Sequence, residues 1–230
     1  TKLTSYKFPV WVNARPLPAL IITYPTPPLT FEGSVRKRPF LYLGNDRLVG
    51  LFEGLILDCI SFCKTDKIIF EIIISGDNKF TFAISSQQGL QSFIKQFSVE
   101  NADINSYMPS VLKVISENFE ILNIDTQKTQ INFSLNKDVI ADTNIDYLKL
   151  SEKILQVALL NRQTEIIIAD KRRQHLNQNY YHFPQGIFYL FDRATTEILG
   201  KPEFKLTFDD ELSKNKYQIG LAYRSDWYPT

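Results

Sequence analysis

The sequence contains few of the residues that build metal or redox sites, with two cysteines and two histidines among 230 residues. Cys59 and Cys63 lie four positions apart, and a disulfide within one helical turn is geometrically awkward. Two thiols without a histidine partner also make a poor zinc site. We therefore expect two buried, free thiols in a reducing cytoplasm. His175 and His182 have no third ligand near them in the sequence, so we expect neither a metal site nor a catalytic triad.

Strong net charge and long hydrophobic runs are also absent. The net charge is +1 at pH 7, so the chain has no strong overall positive potential that would attract nucleic acid or an anionic membrane. No stretch approaches the roughly 18 apolar residues of a transmembrane helix, and we expect no membrane partner. The length of 230 residues suffices for one good core, with or without a small second domain.

Proline is concentrated in residues 1–31, which contain six of the eleven prolines. Prolines this frequent prevent a long helix and favour an extended path. The same stretch includes Phe8, Trp11 and the apolar residues 20–22, and is too apolar for a free tail. We expect an extended arm that packs on the domain or on a partner.

Residues 47–63 have the pattern of a long apolar helix. Between Leu48 and Cys63 the only charged residues are Glu53 and Asp58. A helix that is apolar all round is a buried helix. We therefore expect the domain to pack around this helix.

The other segments alternate between strand and helix patterns. The turn Gly76-Asp77-Asn78 lies between two alternating apolar stretches and predicts a hairpin. Residues 177–179 are predicted to lie in a polar loop. The predicted strands cover residues 67–75, 79–85, 119–124, 130–135, 165–171, 203–208 and 216–223. The predicted helices cover residues 88–97, 109–119, 146–160 and a stretch that ends near Leu199. In the third of these helices the expected inward residues are Leu148, Ile154, Leu155, Ala158 and Leu159.

The segment before the long apolar helix resembles a known family. Val35-Arg36-Lys37-Arg38-Pro39, followed by Leu41-Tyr42-Leu43-Gly44, resembles the V-R-K-R-P-G-M-Y-I-G lead-in to the ATPase domain of the gyrase B proteins and their type IIA topoisomerase relatives. These proteins belong to the GHKL ATPases. Residues 110–121, 159–171 and 180–187 resemble later segments of the family in the same order.

The resemblance implies an α+β fold, a two-layer sandwich of the GHKL (Bergerat) type with a mixed sheet and helices on one face. It divides the chain into an N-terminal arm (residues 1–31), a GHKL-like domain (residues 32–200) and a partial transducer-like hairpin (residues 201–230). In the family the arm reaches across to the other protomer. The resemblance therefore also implies a homodimer formed through this arm.

Several positions of the family's ATP site carry different residues here. In the family, a Glu three residues before a helix Asp is the general base, and an Asn after that Asp holds Mg²⁺. Aligning the Asp with Asp58 places Leu55 and Cys59 at those positions. A Leu cannot accept a proton, and a thiol is a poor ligand for Mg²⁺. Ile84 takes the place of the Asp that binds the adenine amino group, and residues 85–88 replace its glycine turn.

The family's phosphate-binding glycine loop is also replaced. Ser106-Tyr107-Met108 stands there, and Pro109 removes one amide donor. Thr129 does match the family's adenine-side Thr. Asp58 and Thr129 are thus the candidate remnants of a cofactor site, and we expect no catalytic residue, no metal ligand and no ATP or Mg²⁺ cofactor.

These substitutions predict a gyrase B-like pseudo-ATPase that acts through protein–protein interaction, as a homodimer or with a topoisomerase-like partner. One alternative is an ATP-binding type IIA topoisomerase-like protein with a rebuilt, weak Mg-ATP site at Asp58 and Thr129. Another is a nucleic-acid-binding module that uses the basic residues 36–38 and 171–173, although the net charge argues against it.

Overall fold

A computed structural model describes residues 30–63, 67–76, 78–87, 90–97, 108–125, 127–173, 176–197, 204–212 and 215–223. The predicted N-terminal arm therefore lies outside the described residues, apart from its last two positions.

The described residues form seven α-helices and eight strands. The helices are α1 (Phe31–Lys37), α2 (Pro39–Leu43), α3 (Arg47–Cys63), α4 (Gln91–Ile94), α5 (Met108–Ile115), α6 (Tyr147–Leu160) and α7 (Phe188–Glu197), with a short 3₁₀ turn over Lys95–Phe97. The strands are β1 (Ile68–Ile74), β2 (Phe80–Ser86), β3 (Ser116–Asn123), β4 (Lys128–Leu135), β5 (Thr164–Asp170), β6 (Asn177–Tyr181), β7 (Phe204–Leu212) and β8 (Asn215–Tyr223).

Six strands form one mixed sheet in the order β3-β4-β2-β1-β5-β6. Strands β1 and β5 pair in parallel, and the other neighbours pair antiparallel. The predicted hairpin between β1 and β2 is confirmed. Gly76 and Asn78 in its turn have positive φ angles of 129° and 79°, and Asn and Gly tolerate this backbone better than other residues.

Helix α3 has the predicted bounds and packs at the centre of the core. The ring of Phe52 lies 6.0, 6.4 and 6.1 Å from the rings of Phe80, Phe82 and Phe133. The expectation that this helix is buried all round is wrong, because Leu57 is 43% exposed. Helix α3 therefore packs against the sheet, α5 and α6, and leaves the part of its surface at Leu57 exposed to solvent.

Three local predictions need correction. The helix predicted over residues 109–119 ends at Ile115, because Phe119 pairs with Phe133 in the β3–β4 ladder. In α6, Leu148 is 71% exposed and Leu155 is only partly buried, while Leu150 is fully buried. The predicted polar loop over residues 177–179 is part of the edge strand β6, which pairs with β5.

Strands β7 and β8 form a separate two-stranded sheet, as predicted for the last hairpin. Helix α7 packs against it through Phe191, whose ring would lie 2.6 Å from a Cβ at position 220. Gly220 thus allows the close approach of α7 to the hairpin. The predicted end of this helix near Leu199 lies outside the described residues.

Candidate nucleotide site

The residues predicted to stand at the family's ATP-site positions lie inside the core. Leu55 and Cys59, on α3, and Ile84, on β2, are each 0% exposed. Their side chains therefore contact other apolar groups rather than solvent. This position explains why apolar side chains are favoured there, since an unpaired charge would be costly to bury.

Asp58 faces the start of helix α5. Its Oδ2 atom accepts a hydrogen bond of 3.1 Å from the backbone N–H of Met108, the first residue of α5. The first amides of a helix have no partner within the helix, and a carboxylate there interacts favourably with the helix dipole. Burial raises the pKa of the Asp58 carboxyl above its ordinary value, and the hydrogen bond from Met108 lowers it by less. Asp58 therefore acts as a long-range cap for α5.

The Met108 side chain fills the space between α3 and α5. Met108 is 4% exposed, and its Cε atom would lie 2.4 Å from a Cβ at position 54. Gly54 is thus the residue that lets Met108 pack against α3. Sequence reasoning missed this contact, since only the placement of α5 beside α3 brings these two residues together.

Thr129, the other candidate remnant, is 2% exposed on β4. Its hydroxyl donates a hydrogen bond of 3.3 Å to Oδ1 of Asn123 on β3. In the sheet Thr129 pairs with Ile84 of β2. Asp58 and Thr129 thus each form a hydrogen bond with another residue of the chain. Ser106 and Tyr107 lie outside the described residues.

No protein-family model matches the sequence. A segment of 69 residues is 30% identical to the gyrase B protein of two strains of Staphylococcus epidermidis, and this segment is 30% of the chain but 11% of the Staphylococcus protein. The structure superposes on the 43K ATPase domain of Thermus thermophilus gyrase B, solved in complex with an aminocoumarin, with a TM-score of 0.63 and 14% sequence identity. The match covers 84% of this chain and 62% of the Thermus chain.

The chain has the fold of a gyrase B ATPase domain. The predicted GHKL architecture, with its mixed sheet and covering helices, is thereby confirmed. At this level of identity the likeness concerns the fold alone. The family's chemistry has to be judged from the residues at the site.

The basic clusters of this gyrase B-like domain are partly neutralised by the chain itself. Arg36 donates from Nε to Glu32 Oε1 at 2.9 Å. Arg172 binds both carboxylate oxygens of Asp170, at 2.9 and 2.8 Å, and also Asn144 at 2.7 Å. The hydrogen bonds from Arg172 lower the pKa of Asp170. These arginines are thus engaged in structural contacts.

A polar cleft of about 610 Å³ lies beside the starts of α3 and α6. Asp46, Arg47, Asp142, Asp146 and Lys149 are among its lining residues. Lys149 Nζ lies 3.4 Å from Asp46 Oδ1, and Asp146 caps α6 by accepting from the N–H groups of residues 148 and 149. Asp146 therefore stabilises the start of α6, and Asp46 and Lys149 form an ion pair across the cleft.

Among the described residues, which include His182, no group of side chains could hold a metal ion. Nδ1 of His182 lies 3.2 Å from the carbonyl oxygen of Thr164, and His175 lies outside the described residues. Both thiols are free; Cys59 is buried as predicted, whereas Cys63 is only partly buried. In the part of the chain that the structure describes, no helix combines the length and the hydropathy needed to cross a membrane.

Proposed function

We propose that this chain is a non-catalytic gyrase B-like module that acts through protein–protein interaction. The observation that carries the proposal is the hydrogen bond between the Asp58 carboxylate and the Met108 amide. The family resemblance implies that amides at the start of this helix hold the nucleotide phosphates. Here a carboxylate of the same chain binds the amide, and its negative charge would repel a phosphate.

The residues around this contact also support the proposal. Leu55 stands where the resemblance places the general base, and Cys59 stands where it places the magnesium ligand. Loss of a general base typically costs about 10²–10⁴-fold in rate. Both side chains are fully buried, so neither has access to a water molecule or a metal ion in the structure.

The packing of Met108 supports the same conclusion through sterics. Its side chain lies over Gly54, in the space between α3 and the start of α5. A triphosphate that approached the amides of α5 from the α3 side would have to displace this buried side chain. Displacement would expose apolar surface and break the Asp58 cap, and both changes oppose binding.

The partner in this proposal is a second copy of the chain, bound through the arm of residues 1–31, or a topoisomerase-like protein, in the cytoplasm. The arm carries Phe8 and Trp11 on either side of Pro9, and aromatic side chains are enriched at protein interfaces. The two arginines that bind Glu32 and Asp170 within the chain make nucleic acid a weaker candidate partner.

Calorimetric titration with Mg-ATP tests the absence of a nucleotide site. We expect no saturable heat with this chain at millimolar nucleotide, while the Thermus gyrase B ATPase domain serves as the positive control. Micromolar affinity would contradict the proposal. If such binding were lost in both Asp58→Ala and Thr129→Val, the rebuilt-site alternative would be supported instead.

Sedimentation equilibrium tests the interaction through the arm. We expect the wild-type chain to associate with rising concentration, and the double variant Phe8→Ala with Trp11→Ala to remain monomeric. Lys7→Ala, in the same arm, should associate like the wild type. A wild-type chain that stays monomeric at high micromolar concentration would rule out the homodimer and leave a different protein as the partner.

A further inference from the structure

The two cysteines of the chain form a close pair on helix α3. Their Sγ atoms lie 3.6 Å apart, because residues four positions apart lie one above the other on a helix. Both are free thiols in the structure. The chain contains two cysteines in total, so any disulfide within one chain must join this pair.

The two thiols differ in access to solvent. Cys59 is 0% exposed, whereas Cys63, the last residue of α3, is only partly buried. The hydrogen bond with Cys59 lowers the pKa of Cys63, and burial raises the pKa of Cys59 well above its ordinary value. A reagent dissolved in water therefore meets Cys63 first, and Cys63 has the larger thiolate fraction.

We propose that Cys63 and Cys59 form a peroxide-dependent modification site, in which Cys63 is oxidised first and Cys59 then closes an intrachain disulfide. This pairing follows from the contact between the sulfurs and from the difference in their exposure. The same sulfurs could not be modified in the reverse order without exposing the buried one.

The chemistry balances with a hydroperoxide as the oxidant. The Cys63 thiolate attacks one peroxide oxygen, the O–O bond breaks, and the released hydroxide or alkoxide takes up a proton. The sulfur is oxidised to a sulfenic acid and the peroxide is reduced. Cys59 then loses its proton and attacks the sulfenic sulfur; the S–S bond forms, the S–O bond breaks, and water leaves.

The position at the end of α3 makes closure possible at a cost in strain. Cβ atoms four residues apart on a helix lie about 5–6 Å from each other, whereas a disulfide needs about 3.5–4.5 Å. The last turn must therefore move toward Cys59. The last carbonyl groups of a helix have no partner within it, so this turn is the easiest one to rearrange. A disulfide under strain is also readily reduced, which makes the modification reversible.

Mass spectrometry of the intact chain and its tryptic peptides tests this site. Trypsin cleaves after Arg47 and Lys64, so residues 48–64 form one peptide that contains both cysteines. After treatment with hydrogen peroxide we expect this peptide to become lighter by the mass of two hydrogen atoms, and dithiothreitol to restore it. A peptide that stays unchanged, a sulfinic acid on Cys63 without a disulfide, or disulfide-linked chains on a non-reducing gel would overturn the proposal.

Two variants test the order of reaction. In Cys59→Ala we expect a sulfenic acid at Cys63 that a cyclic 1,3-diketone traps. In Cys63→Ala we expect Cys59 to remain a thiol under the same exposure, because it is buried. Faster oxidation of Cys59 than of Cys63 would overturn the assigned roles. The wild-type measurement needs no variant, so the proposal stays testable if Cys59→Ala fails to fold, and it does not depend on nucleotide binding.

Discussion

Helix α3 contacts the rest of the protein through two sides of different character. Its buried side carries large apolar side chains, such as Phe52 and Leu55, that are fully enclosed in the core. Its side toward α5 carries Gly54 and Asp58, which act through a close approach and a hydrogen bond. The buried side maintains the gyrase B-like fold through hydrophobic burial, whereas the other side depends on the size and polarity of single residues. Substitutions on the two sides of α3 should therefore differ in their effect on stability.

The largest effect is expected from placing a carboxylate on the buried side. Leu55→Glu restores the residue type that the family resemblance implies for a general base, but at a position that is 0% exposed. An uncompensated buried charge typically costs about 3–5 kcal/mol, a large share of the stability of a small domain. We expect Leu55→Glu to unfold at a much lower urea concentration and to gain no ATPase activity.

Leu57→Glu is the matched control on the same helix. Leu57 is 43% exposed, so its replacement should change the free energy of unfolding by less than about 0.5 kcal/mol, as is usual for surface sites. If Leu55→Glu and Leu57→Glu lost the same free energy of unfolding, the buried and exposed sides of α3 would not differ in their tolerance of a charge.

A smaller effect is expected from filling the spaces that the α3 glycines leave. A Cβ at Gly50 would lie 2.0 Å from the backbone carbonyl oxygen of Leu43, which cannot move without shifting α2. We expect Gly50→Ala to cost about 1–3 kcal/mol, as overpacking does. Gly54→Ala meets the flexible end of Met108 instead, and the better helix propensity of Ala, about 1 kcal/mol, should offset most of that clash. Urea denaturation measures the free energy of unfolding of both variants. A larger loss of stability in Gly54→Ala than in Gly50→Ala would contradict the prediction.

An effect of similar size is expected from removing the side-chain acceptor at Asp58. In Asp58→Ala the Met108 amide loses its partner, which should cost about 1–3 kcal/mol. Asp58→Asn keeps an acceptor oxygen without the buried charge, and should be close to the wild type or more stable at neutral pH. Chemical denaturation of both variants at pH 7 measures this order.

The difference in stability between Asp58→Asn and the wild type should depend on pH. Burial raises the pKa of Asp58 in the folded state, so the folded protein is more stable when this carboxyl is protonated. This contribution to the free energy of unfolding is fully present below the unfolded pKa of about 3.9. It is lost as pH rises through the folded pKa. We expect the stability of Asp58→Asn relative to the wild type to increase across that interval and to be constant above it. A relative stability that falls with pH would mean that the Met108 hydrogen bond outweighs burial.

Much of the fold followed from local patterns in the sequence. The bounds of α3 agree with its apolar run, and the β1–β2 turn agrees with the tolerance of Gly76 and Asn78 for positive φ. Asp146 marks the start of α6 because its side chain accepts from the first amides of that helix. Patterns were less reliable where long-range pairing competes with helix propensity, as at residues 116–119, which join β3 rather than extend α5.

The sequence by itself determined the family likeness and predicted the loss of the expected ATP-site residue types, because both depend on which side chain stands at which position. Only the tertiary structure decided that Asp58 caps α5, that Met108 fills the space above Gly54 and that Thr129 binds Asn123. The Asp58 and Met108 partners are 50 positions apart in the chain. Their contact depends on how two helices pack on one sheet, and no local pattern of residues specifies that packing.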